Sequence, residues 1–142
     1  MSEEIRYPSI AQVARLYDEI VKASGGEHGY LSWSNLDYIL DTVKDVGESL
    51  PRRQAIIKKS AFMLYNVIIV HPFLNGNKRT AYELLRLFLR LNDYRVSPET
   101  EEAYEFLLAV ASEEFRDGRR KLDSKAFRGV KGEMSERIGS EE

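Results

Sequence analysis

Within one stretch, His71-Pro72-Phe73-Leu74-Asn75-Gly76-Asn77-Lys78-Arg79-Thr80-Ala81, the chain places an imidazole, a carboxamide able to face a metal, a glycine and two adjacent cations. Imidazole is the side chain whose ordinary titration, near pH ~6.5, suits proton transfer at neutrality. His71-Pro72 ends any helix before it, because a residue preceding proline is driven out of the α region and proline has no amide to donate. Gly76 permits a tight turn. A helix beginning near Asn77 then aims its free amides, and a dipole end of about half an elementary charge, back at that turn. Phosphate binds readily in such a place. Lys78 adds a point charge and Arg79 a planar fork that matches phosphate oxygens. A hydroxyl entering between His71 and a bound nucleotide would lose its proton to His71 as it attacks a phosphoryl group. Asn75 offers an oxygen to Mg2+, which commonly bridges phosphates and takes few protein ligands. Phe73 reads as an apolar anchor for the loop.

Such a site needs helices on both sides, and the hydrophobic spacing predicts them. Pro8-Ser9 starts a helix whose buried face is Ile10, Val13, Ala14, Leu16, Tyr17, Ile20 and Val21, stopping near Gly25-Gly26. Glu27 to Trp33 is expected as an exposed loop or small hairpin flap. A second helix is expected from about Ser34 to Val43, and a third with Pro51 in its first turn. From Ile56 to Val70 that third helix is apolar nearly all round, which places it in the middle of a bundle. A fourth carries Ala81, Leu84, Leu85, Leu87, Phe88 and Leu91 and ends around Asn92-Asp93-Tyr94. Ser97-Pro98-Glu99 begins a fifth. Residues 116–142 are charged and glycine-bearing with few large apolar side chains, and are expected as a mobile tail beyond a catalytic domain at 1–115.

Composition narrows the classes. A length of 142 residues suits one domain with one core. With 21 basic and 23 acidic residues the net charge of -2 provides no general attraction to nucleic acid, so direct nucleic-acid binding is not expected. The absence of cysteine excludes disulfides and thiolate metal sites. The acidic start Met1-Ser2-Glu3-Glu4 lacks the features of a signal peptide. The run Ala61–Val70 falls short of the about 20 residues a membrane span needs. A soluble cytoplasmic protein with no membrane partner is expected.

The stretch from His71 to Ala81 resembles the signature of the Fic/Doc superfamily, H-P-F-x-[D/E]-G-N-G-R-x-x-R. Lys78 stands where Fic proteins carry their second glycine and Tyr82 where they carry the final arginine, so the Asn77-Lys78-Arg79 variant looks like the Doc (death on curing) branch. Gly25-Gly26 with the segment after it, and Phe88 to Tyr94, extend the likeness over residues 5 to about 115. The resemblance implies an all-α, Fic/Doc-type helical bundle with a small flap or hairpin. Carried over by position, it makes His71 the general base, Phe73 the core anchor and Asn75 the metal-side residue. Gly76 and Asn77 become part of the anion hole, and Lys78 and Arg79 phosphate contacts. Fic proteins mostly transfer AMP from ATP, whereas Doc toxins transfer its γ-phosphate to a threonine of a translation elongation factor.

The resemblance therefore implies ATP and Mg2+, a target-protein hydroxyl and a separate antitoxin. No [S/T]-x-x-x-E-[G/N] segment, the internal restraint of many Fic enzymes, occurs in the chain. The leading expectation is γ-phosphate transfer, with AMP transfer next and a catalytically weak binding module as the alternative from another class. Two readings of Tyr30 and Trp33 stand side by side: a satellite cluster under a loop, or a flap that pairs with an extended target segment by strand addition. His28, in a glycine loop without a recognisable partner, is expected at the surface.

Overall fold

The computed structural model describes residues 4–96 and 138–140, in which four helices surround one core. Helix α1, Ile10–Ser24, begins where Ser9 and Gln12 satisfy each other: the Ser9 hydroxyl accepts the Gln12 N–H and the Gln12 side chain accepts the Ser9 N–H. Such a capping box is worth about 1 kcal/mol. Gly25, at φ 76°, closes the helix by donating its N–H to the Val21 carbonyl. Val13, Tyr17 and Val21 form its buried face.

Helix α2, Trp33–Thr42, starts slightly before the expected Ser34 because the Ser32 hydroxyl caps the Asn35 N–H. It tightens into a 3-10 turn at Val43–Asp45. Helix α3, Arg52–Val70, differs from expectation at its start: Pro51 stands outside the helix, at ψ 154°, as its N-cap. Burial runs round most of its circumference, as the apolar composition requires.

One charged side chain is buried in that circumference among the apolar ones. Lys59 is 1% exposed, and its ammonium donates to the Val43 and Lys44 carbonyls, each at 3.1 Å, while lying 5.4 Å from the Tyr7 ring centre. It thereby ties the 3-10 turn to the central helix. Burying a charge is costly, but these bonds and the aromatic face offset part of that cost.

Helix α4, Asn77–Leu91, returns along α3 with Ala81, Leu84, Leu85, Phe88 and Leu89 buried. At its end Asn92 gathers the N-terminal segment. Its side chain accepts the Arg6 N–H and donates to the Arg6 and Phe88 carbonyls, and Arg52 donates to its backbone carbonyl. Strand β1, Tyr94–Val96, then pairs antiparallel with β2, Ile138–Ser140, Tyr94 opposite Ser140. The architecture is an all-α bundle of the expected type with this short strand pair added. The expected fifth helix from Ser97, and residues 116–137 and 141–142 of the expected tail, lie outside the described residues. Among the described residues no helix is long and apolar enough to cross a membrane.

Candidate active site

His71 is the left-handed C-cap that follows α3, at φ 48° and ψ 63°, its N–H donating to the Val67 carbonyl. A residue with a Cβ is uncommon in this region, and such a conformation commonly marks a site. The geometry turns the chain sharply out of the buried helix and leaves the imidazole exposed, without a side-chain partner among the described residues. The base candidate is therefore available.

The turn from Pro72 to Gly76 is held from inside. Phe73 is fully buried and stacks on Tyr17 with ring centres 4.2 Å apart. Asn77 bridges the same residue: its Oδ1 accepts the Phe73 N–H at 3.0 Å and its Nδ2 donates to the Phe73 carbonyl at 2.8 Å. The Asn77 carboxamide is thus committed to the loop, and what it offers an anion is its backbone N–H. Gly76, at φ 75°, supplies the left-handed residue that lets α4 begin immediately afterwards.

The segment expected as an exposed loop or small hairpin flap is a loop laid on this turn, its extended part held by one isolated bridge. Tyr30 bridges Phe73 in antiparallel sense; the Leu31 and Ser32 N–H groups donate to the Pro72 carbonyl, and the Leu74 N–H donates to the Gly29 carbonyl. Two glycines permit the approach. A Cβ on Gly26 would stand 2.9 Å from Asn75 Oδ1, and one on Gly29 would stand 3.3 Å from Leu74 Cβ. Asn75, half-buried, therefore lies between the turn and the start of the flap.

Tyr30 and Trp33 meet edge to face and remain partly exposed, so they form both an outer layer over Phe73 and an accessible rim. Burial pushes the Tyr30 phenol above its ordinary pKa, with Asp18 and Tyr17 adding to the rise. His28 corrects the sequence expectation in one respect: it is at the surface, but it pairs with Asp18 of α1 and packs its ring against Tyr17 and Tyr30.

The N-terminus of α4 faces this turn with no side-chain cap, where serine caps α1 and α2, and with no acid in its first turn. It carries Lys78 and Arg79 there, both exposed, against the preference of the helix dipole for negative charge. An anion at the amides of Asn77, Lys78 and Arg79 would satisfy both deficits. Arg79 also approaches Glu83 at 3.9 Å, and Glu83 bonds Arg86 at 3.3 Å, so its charge is partly shared along the helix. Tyr82, at the signature's final arginine position, is 3% exposed and belongs to the core.

A cavity of about 450 Å³ opens elsewhere, between Glu4–Tyr7, Lys44–Leu50 and the start of α3. Lys59 lines it, twelve residues before His71, or about 18 Å at a helical rise of 1.5 Å. The proton-transfer and anion groups are not there. Its Lys59 and Arg52 are engaged with backbone carbonyls.

The family model for the Fic/DOC family matches residues 7–89. The chain belongs to the Fic/DOC family. The match spans α1 to nearly the end of α4, and so includes the flap strand and the whole turn from His71 to Asn77. Members of the Fic/DOC family are typically transferases of the AMP- or phosphate-transfer type. No curated protein matches the chain as a relative.

Proposed function

We propose that this Fic/DOC protein transfers the γ-phosphate of ATP to a hydroxyl of a target protein, with His71 as the general base. The observation that carries the proposal is the pairing, across the turn 72–76, of an exposed imidazole without a side-chain partner among the described residues and an uncapped helix N-terminus bearing Lys78 and Arg79. The phosphates sit at the α4 amides, where the dipole, Lys78 and Arg79 hold their charge. His71 takes the proton of the attacking hydroxyl; the new O–P bond forms at the γ-phosphorus as its bond to the bridging oxygen breaks, and ADP leaves. The lysine at position 78 crowds the space that a second glycine would leave open, which favours presenting the terminal phosphate rather than the α-phosphate.

Mg2+ is a fitting companion of the nucleotide. Asn75 brings a single neutral oxygen to the edge of the turn, and no group of three or more His, Cys, Asp or Glu side chains among the described residues would hold a metal by itself. That donor set suits an ion that takes most of its ligands from phosphate and water. When bound it supplies charge neutralisation at the phosphates.

The flap strand presents the substrate. Its pairing with the turn uses Gly29 and Leu31, so the N–H and C=O of Tyr30 point to the other side, where an extended target segment can add as a strand. A threonine of a translation elongation factor is the proposed acceptor, the cytoplasm the proposed location, and a separate antitoxin the proposed restraint.

ATP labelled at the γ- or the α-phosphate, incubated with a purified elongation factor, tests the proposal. Label from the γ-position on the protein, absent with His71→Ala, is the expected result. Label from the α-position would replace it by AMP transfer. No transfer dependent on His71 would leave a binding module.

A further inference from the structure

Tyr17 lies far from the His71 stretch in sequence and reads there as one more apolar position of α1. In the fold it meets three parts of the site. Its ring is fully buried and stacks on Phe73 with an interplanar angle of 16°. A Cβ on Gly76 would lie 3.9 Å from its Cε1, so it also backs the turn into α4. Its hydroxyl both donates to the Gly29 carbonyl and accepts the Gly29 N–H, each at 2.9 Å.

That pair of hydrogen bonds, one to the peptide unit on each side of Gly29, is specific. One hydrogen bond would let the strand pivot; two, on the amide and the carbonyl of the same residue, also fix its orientation. The Gly29 carbonyl in turn accepts the Leu74 N–H at 2.8 Å, so the phenol holds the flap strand in register with the turn that carries His71. Asp18, the next residue of α1, reinforces the tie through His28. Because the phenol spends its one donor on the Gly29 carbonyl and is fully buried, it is not placed to bind a nucleotide.

We infer that Tyr17 is a positioning residue that sets the flap segment against the turn following His71 and so governs engagement of the protein acceptor, not of ATP. The inference deepens the proposed transfer and rests on it. Tyr17→Phe keeps the stack on Phe73 and removes both bonds, which isolates the tie from the core. With a purified translation elongation factor as acceptor, its KM rises about tenfold while the KM for ATP stays within about twofold, the scale expected for losing hydrogen bonds of ordinary strength. Amide exchange at Gly29 and Leu74 accelerates in the same variant. Should Tyr17→Phe fail to fold, Asp18→Asn loosens the same strand from the half-exposed His28 pair, with the same direction and a smaller effect.

Unchanged acceptor KM with unchanged amide exchange would overturn the inference. So would a parallel rise of both KM values, which marks a general disturbance of the fold. Absence of any transfer by the unaltered protein would sink the proposed reaction instead, and the exchange data then decide the Tyr17 tie by themselves: acceleration upholds it and wild-type exchange removes it.

Discussion

Asn77 holds Phe73 by both ends of its peptide backbone, accepting the N–H at 3.0 Å and donating to the carbonyl at 2.8 Å. The first residue of α4 thereby sets the shape of the turn that precedes it. Asn77 is 7% exposed, so a substitution leaves the two Phe73 groups without ready access to water. Asn77→Ala is expected to destabilise the protein by about 2–4 kcal/mol, two unmet buried groups at roughly 1–2 kcal/mol each. Asn77→Asp, which keeps only the acceptor and adds a negative charge beside the anion site, loses less stability but more transfer activity. Urea titrations beside transfer assays separate the two effects.

His71 adopts a left-handed conformation that glycine takes without strain. His71→Gly is expected to abolish transfer and at the same time raise stability by about 1 kcal/mol, the usual cost of this region for a residue with a Cβ. A thermal melt and a transfer assay on one preparation check both; a variant less stable than the parent would mean that the imidazole itself supports the fold.

Lys78 stands in the first turn of α4 where the dipole disfavours a cation. Lys78→Glu should therefore gain about 0.3–1 kcal/mol of stability. The same change should weaken ATP binding by about tenfold, through repulsion of the phosphates. Lys78→Gly restores the spacing of the signature, and is expected to raise α-label transfer relative to γ-label. Equal ATP affinity in Lys78→Glu would remove Lys78 from the phosphate site.

Lys59 makes stability pH-dependent on the alkaline side. Burial pushes its ammonium below the ordinary lysine value, with Glu48 and Asp45 pulling the other way. The unfolded chain then binds more protons than the folded one between the lowered value and the ordinary one, so this group makes stability rise with pH across that window. Tyr7 opposes it: burial, then Glu48 and Asp45, raise the Tyr7 phenol, which makes stability fall as pH passes its ordinary value of about 10. Lys59→Met removes the rising contribution and leaves the Lys44 carbonyl without its donor. The variant should be less stable by about 1–3 kcal/mol, by a margin that widens as pH rises from the lowered lysine value toward the ordinary one. Urea midpoints of the two proteins at several pH values test this; a constant margin would show that Lys59 is not perturbed.

Local chemistry made the helices legible. Ser9 followed by Gln12, then Gly25, mark the ends of α1 through bonds between residues a few positions apart. The nearly all-round apolar composition from Ile56 to Val70 marks α3 as central because little polar face remains to meet water. The site stretch was legible for the same reason: His71-Pro72, Gly76 and the basic start of α4 act on backbone within one turn of themselves. The extent of α2 shifted slightly, because Ser32 captures the Asn35 amide before the expected start at Ser34.

What stayed hidden in the sequence depends on partners brought together by the fold. Asn77 reads as a phosphate-site residue, and only the backbone of Phe73 meeting its carboxamide assigns that side chain to the loop and leaves the backbone N–H for an anion. His28 has no visible partner until α1 delivers Asp18, and Lys59 interrupts an apolar pattern until the carbonyls of Val43 and Lys44 reach it. Nor does spacing reveal that the flap would spend one edge on Pro72 and Leu74. The sequence by itself determined where the helices lie, which segment is central and which stretch carries an imidazole beside an anion-seeking helix start, since these follow from short-range sterics, capping and amphipathic periodicity. Only the tertiary structure decided which of those polar groups remain available for chemistry and which are consumed in holding the loop, because hydrogen-bond satisfaction is settled among atoms adjacent in space rather than along the chain.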